Sequence, residues 1–210
     1  MLDYAEYTKI FVGLLAIINP LGAIPVFISI TADENSSQHR KTTNLVAIGV
    51  AVILLLALFL GESLLRFFGI TMDSFRVGGG ILVLLMAIAM LHAKTSQVRQ
   101  TEEEADESIE KESVAIVPLA MPLLAGPGAI STVILAAHKS SSVAHYLVVA
   151  LGIILLSLVI WIVLRLSPWI TERISATGIN IFTRIMGLIL AAIAIEFIAN
   201  GIKGLFPVLA

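Results

Sequence analysis

Long apolar runs separated by short polar connections divide the chain, at residues 10–30, 45–65, 77–91, 114–137, 146–164 and 185–202. A hydrocarbon core about 30 Å thick is crossed by about 20 apolar helical residues, so the pattern predicts an all-α membrane protein with six transmembrane helices. The third run is apolar for only 15 residues and needs residues 71–76 or 92–94 to reach across. The first run follows Asp3 and Glu6 and exceeds 20 residues. A cleavable leader opens with basic residues and a shorter apolar core, so this segment is expected to remain as a membrane helix.

Composition agrees with a bilayer as solvent. Of 210 residues, 58% are hydrophobic and 13% charged, and mean hydropathy is +1.00, whereas about a quarter of a soluble domain is charged. The absence of cysteine removes disulfides, thiolate-bound zinc and thiol catalysis from consideration. The net charge of −2 is unevenly spread, because Glu102, Glu103, Glu104, Asp106, Glu107, Glu110 and Glu112 supply 7 of the 15 acidic residues. They lie in residues 94–113, KTSQVRQTEEEADESIEKES, which carry too little apolar surface to fold and read as a solvated linker. The chain thus divides into a first unit (1–93), this acidic linker and a second unit (114–210). No basic patch suggests nucleic acid.

The two units repeat one another. A shift of 106 residues lays Gly22-Ala23-Ile24 on Gly128-Ala129-Ile130, and a shift of 108 lays Arg76-Val77, Gly79 and Ile81-Leu82 on Arg184-Ile185, Gly187 and Ile189-Leu190. Each unit holds an odd number of spans, so the second enters the membrane from the opposite face, as in the inverted repeats of many secondary transporters. Pro20, Pro25, Pro118, Pro122 and Pro127, five of seven prolines, fall in the first helix of one unit or the other. Proline inside a helix costs about 3 kcal/mol or more, and freed backbone groups in lipid persist only where protein or a cavity shelters them. The first and fourth helices are therefore expected to be broken, over residues 19–25 and 125–132.

A helix that restarts inside the membrane presents unpaired N–H groups and a partial positive charge. Two such starts at a pseudo-two-fold axis attract a carboxylate without any lysine or arginine, so a small neutral or zwitterionic solute fits better than a cation. The substrate-binding candidates are Asn19, Pro20, Gly22, Pro25, Gly126, Pro127, Gly128, Ser131 and Thr132. The same residues also suit packing alone, with small side chains at helix contacts and hydroxyls bonded to freed carbonyls.

Asn19-Pro20-Leu21-Gly22-Ala23-Ile24-Pro25-Val26-Phe27 and Val117-Pro118-Leu119-Ala120-Met121-Pro122-Leu123-Leu124-Ala125-Gly126-Pro127-Gly128-Ala129-Ile130-Ser131 resemble the signatures of the MarC family. Phe75-Arg76-Val77-Gly78-Gly79-Gly80-Ile81 and Thr183-Arg184-Ile185-Met186-Gly187-Leu188-Ile189-Leu190 extend the likeness along the chain. The resemblance implies a six-span bacterial inner-membrane protein, in a family mostly of uncharacterised function. One member of that family carries small neutral amino acids such as glycine and alanine.

Glu62 and Glu196 lie in or near apolar helices, where a carboxylate is by default a functional candidate, here for a coupling proton. Arg66, four residues after Glu62, offers a same-face salt bridge instead. Arg76 and Arg184 fit snorkelling anchors at the starts of the third and sixth helices. Ser131 and His138 are about 10.5 Å apart along a helix, too far for a nucleophile and base, so an enzyme is not expected. No motif calls for a metal, a nucleotide or another cofactor. Basic residues number eight in loops one, three and five (Arg40, Lys41, Lys94, Arg99, Lys111, Arg165, Arg173, Arg184). Five lie on the opposite side (Lys9, Arg66, Arg76, Lys139, Lys203), which predicts both termini outside the cytoplasm. The function expected is gradient-driven transport with alternating access; a membrane scaffold or a small-solute channel are the alternatives.

Overall fold

The computed structural model describes residues 2–31, 34–92, 124–206 and 208, with the side chains of Ile30 and Ala176 left aside. The described part is all helical: α1 Tyr4–Ile18, α2 Pro20–Ile30, α3 Ser36–Phe67, α4 Met72–Leu91, α5 Pro127–His138, α6 Val143–Arg165, α7 Ser167–Arg173 and α8 Ala176–Leu205. Five stretches are long and apolar enough to span a membrane, α1 with α2 together forming one of them, and α5 is a shorter apolar helix. The linker and residues 114–123, with Pro118 and Pro122, lie outside the described residues.

Helix ends follow local capping chemistry more than the limits of the apolar runs. Asn35 and Gln38 form a reciprocal capping box, which starts α3 well before residue 45 and leaves its polar first turns beyond the hydrocarbon. Thr71 accepts from the Ser74 N–H and starts α4 early enough for its 20 residues to cross. Ser142 and Ser175 cap α6 and α8 in the same way. The short α7, opened by Pro168 at its first turn, has no counterpart in the hydropathy pattern.

Each long helix buries one stripe and turns apolar side chains outward elsewhere. In α6 the buried stripe is His145, Val149, Ile153, Leu156, Ile160 and Leu164, at spacings of three and four residues, while Leu147, Leu151, Ile154, Leu158 and Ile162 are exposed. Leucine offered to the surroundings around most of a helix is the pattern of a lipid-facing span. Its buried side meets α3, where Trp161 Nε1–H donates to Asn44 Oδ1 at 2.7 Å and Tyr146 stacks on Phe59 at 6.0 Å between ring centroids. Residue numbers rise along α3 as they fall along α6, so the pair is antiparallel.

The most extensive packing joins α4 and α8, and glycines set its closeness. A Cβ on Gly80 would lie 2.8 Å from Ile198 Cγ1 and 3.0 Å from the Ala194 carbonyl oxygen. On Gly187 it would lie 3.0 Å from Met90 Cβ and 3.1 Å from the Ala87 carbonyl oxygen, and on Gly201 2.9 Å from the Asp73 carbonyl oxygen. These pairings are again antiparallel. Backbone cannot rotate away from a new methyl, and overpacking costs about 1–3 kcal/mol. Gly80→Ala is expected to lower the unfolding midpoint in detergent by several degrees, whereas Gly78→Ala, which meets nothing within 4 Å, leaves it unchanged or raises it. Equal behaviour of the two variants would contradict this packing.

Candidate functional site

The first break sits at one residue. Asn19 has φ 45° and ψ 67°, the left-handed region, and is the only non-glycine with positive φ among the described residues. Asparagine tolerates that region better than most residues. Its N–H closes α1 on the Leu15 carbonyl at 2.9 Å, and its side-chain oxygen accepts from the Gly22 N–H at 3.3 Å to open α2. Pro20, at the first position of α2, has no N–H to satisfy. Sequence reasoning extended the break to residue 25, but α2 runs on through Pro25, whose ring is exposed. One missing hydrogen bond does not end the helix.

In the second unit the corresponding start is at Gly126, which is buried and extended at φ −66°, ψ 174°. Pro127 occupies the first position of α5, and no side chain caps that helix start. The expected irregular stretch to residue 132 is therefore helical from residue 127 onward. Lys139 on the α5 side lies against Glu6 of α1 at 2.7 Å, and a Cβ on Gly128 would lie 3.4 Å from Ile17 Cγ2. The two helices are thus antiparallel, and the same register carries Asn19 and Gly126 to one depth. Counting from Lys9, that depth is about 15 Å inward at 1.5 Å per residue, close to the middle of a bilayer.

A cavity of about 700 Å³ leads toward this level from the face where α1 begins. Three helices present one stripe each: Glu6, Lys9, Ile10, Gly13 and Ile17 from α1; Thr132, Leu135, Ala136 and Lys139 from α5 and its end; Ile193, Glu196, Phe197 and Asn200 from α8. Thr8 and Val12 of α1 and Arg76 of α4 complete the lining. Charge is concentrated at the mouth, where Glu6 lies between Lys9 at 3.2 Å and Lys139 at 2.7 Å and Arg76 pairs with Asp73 at 3.3 Å. Inward, the lining is apolar apart from Glu196 and Thr132, and ends at Ile17 and Thr132.

The nine binding candidates do not converge on this space. Thr132 lines it, with its hydroxyl donating to the Gly128 carbonyl at 2.8 Å. Gly128 lies one turn below, where a Cβ would sit 2.9 Å from Met86 Sδ and 3.2 Å from Val83 Cγ2. Ser131 turns to α4 instead, so that a Cβ on Gly79 would lie 2.9 Å from Ser131 Cβ. Gly22 faces Thr183 of α8, 3.0 Å from a Cβ placed there. Of the two carboxylates, Glu196 lines the cavity. Glu62 does not: it pairs with Arg66 at 2.6 Å and approaches His138 at 3.6 Å.

Two features of the site escaped sequence reasoning. His145 is fully buried; its Nε2–H donates to the Ala136 carbonyl at 2.8 Å, while Nδ1 shares a 3.0 Å hydrogen bond with the Tyr7 hydroxyl. It ties α1, α5 and α6 together behind the cavity. The Glu6–Lys139 pair joins α1 to the end of α5 at the rim. Both depend on α5 returning beside α1, which no local pattern announces; a histidine in an apolar span was the only available signal.

The model of MarC family integral membrane proteins matches residues 4–206. A membrane protein of Escherichia coli, YhcE, is 45% identical over 205 residues, covering 98% of this chain and 95% of that protein. A Pyrococcus abyssi membrane protein is 38% identical over 202 residues, 96% of each chain. YvbG of Bacillus subtilis is 35% identical over 207 residues, 98% of each chain. No solved structure matches the chain. With a family match spanning nearly every residue and relatives covered almost end to end, the chain belongs to the MarC family of integral, multi-pass membrane proteins.

Proposed function

We propose that this protein is a secondary transporter of small neutral solutes, with small neutral amino acids such as glycine and alanine as the leading substrates. The observation that carries the reading is that α2 and α5 begin, at Asn19 and Gly126, at one depth near mid-membrane, with a cavity leading down to them from one face. A stable scaffold has no need of an interrupted helix at that depth, since each interruption leaves backbone groups to be satisfied in a low-dielectric interior. No lysine or arginine lies at either restart, so the local field comes from helix dipoles and favours the carboxylate of a net-neutral molecule.

Two inverted three-helix halves, 1–93 and 114–210, provide the means of alternating access. The helices related by the sequence repeat, α3 with α6 and α4 with α8, pack antiparallel through the contacts described above, which supports inversion: a repeat of the same orientation would set them parallel. The cavity opens on the face where α1 begins, as expected of one state of a rocking carrier. With both termini outside the cytoplasm of the inner membrane, that face is the external one. The chain acts without enzyme activity or cofactor, and an ion gradient drives the cycle.

The test is uptake of radiolabelled glycine and alanine into proteoliposomes. Saturable uptake, inhibited by unlabelled amino acid and enhanced by an imposed proton gradient, is the expected result. Background uptake by demonstrably folded protein would reject these substrates.

A further inference from the structure

We infer that Glu196 receives the ammonium end of a zwitterionic solute inside the cavity and so selects α-amino acids over simple carboxylates. The inference rests on the transport reading and assigns Glu196 a role other than that of a proton carrier.

Among the described residues, every charged group lining the cavity is ion-paired except Glu196. Glu6 is held by Lys9 and Lys139, and Arg76 by Asp73. Glu196 lines the same space and has neither an ion pair nor a hydrogen bond among the described residues. An ammonium group bound in the cavity would give this carboxylate the partner that the protein does not.

Direction and depth point to the same use. Side chains lean toward the N-terminus of their own helix. Gly201 and Gly204 lie beside Asp73 at the cavity mouth, so the N-terminus of α8 is toward the floor and the Glu196 carboxylate leans inward. Arg76, in the first turns of α4, leans outward by the same rule, and the two do not neutralise one another. Ile193 Cδ1 lies 3.9 Å from where a Gly13 Cβ would be. Glu196 is three residues above that level, about 4.5 Å, and its side chain spans most of the difference. Its carboxylate therefore reaches about the level of Thr132, one turn above the start of α5. An amino acid with its ammonium at Glu196 has its carboxylate directed toward the helix start that the transport reading already employs. A fatty acid of equal length lacks the group that Glu196 would hold.

The test measures binding of radiolabelled alanine to the purified full-length protein, in wild type, Glu196→Gln and Glu196→Asp, with propionate and alanine as competitors. Losing a hydrogen bond between charged groups is worth about ten- to a hundredfold in affinity. Glu196→Gln is expected to weaken alanine binding by that factor, Glu196→Asp to keep most of it, and propionate to compete poorly against wild type. Wild-type affinity in a folded Glu196→Gln protein would overturn the inference while leaving the carrier reading intact; a lost pH response with unchanged affinity would return Glu196 to proton carriage. Failure of folded wild type to bind alanine at all would reject small neutral amino acids as substrates, and this inference with them.

Discussion

Replacing Gly128 with leucine is expected to reduce amino acid transport by at least about tenfold, the equivalent of about 1.4 kcal/mol in the barrier. A Cβ at this position already lies 2.9 Å from Met86 Sδ, 3.2 Å from Val83 Cγ2 and 3.4 Å from Ile17 Cγ2. Leucine adds three further carbons, costing about 1–3 kcal/mol in overpacking and covering the start of α5, where the solute carboxylate is proposed to bind. Packing and binding are separable here. The closest neighbour is the flexible end of Met86, so Gly128→Leu combined with Met86→Ala restores room for the side chain. The double variant is expected to regain thermal stability and to remain inactive in proteoliposomes. Recovery of transport along with stability would show that residue 128 serves packing alone.

The second large effect is on stability, at Asn19. Leucine in the left-handed region costs about 1–2 kcal/mol, and loss of the side-chain cap on Gly22 about 1 kcal/mol more. Asn19→Leu is therefore expected to lower the unfolding midpoint by roughly 5–10 °C for a chain of this size. Glycine adopts the same backbone freely and replaces a cap with a loss of only a few tenths of a kcal/mol, so Asn19→Gly stays within about 2 °C of wild type. The comparison is made by thermal unfolding of the purified variants in detergent. Equal midpoints for the two would mean that the helix is not interrupted at this residue.

What the sequence made legible was local. Apolar run length identified the long helices, and the prolines near Asn19 and Gly126 marked the stretches 19–25 and 125–132 in which α2 and α5 begin. The extent of each break was overread, because a proline such as Pro25 removes one hydrogen bond while its neighbours keep theirs. The early start of α3 could have been read from Asn35 and Gln38, whose spacing is that of a capping box.

Side-chain direction was the harder matter. Ser131 and Thr132 are adjacent, yet about 100° of helical rotation turns one to Gly79 and the other to the cavity. Which direction faces solvent depends on where α4 and α1 pass, and that is tertiary information. The Glu6–Lys139 pair, 133 residues apart, is of the same kind. Glu62 was decided locally by Arg66 one turn away, whereas Glu196, without a neighbour of opposite charge, needed the cavity to give it a setting.

The central claim, that two inverted halves expose one site alternately to either face, is tested most directly by counterflow. Proteoliposomes are loaded with unlabelled alanine, diluted into a trace of labelled alanine, and followed with no ion gradient. A carrier returns through the membrane loaded, so label should accumulate transiently above its equilibrium level and then decay. Label that only equilibrates, with no overshoot, would indicate a channel and contradict alternating access.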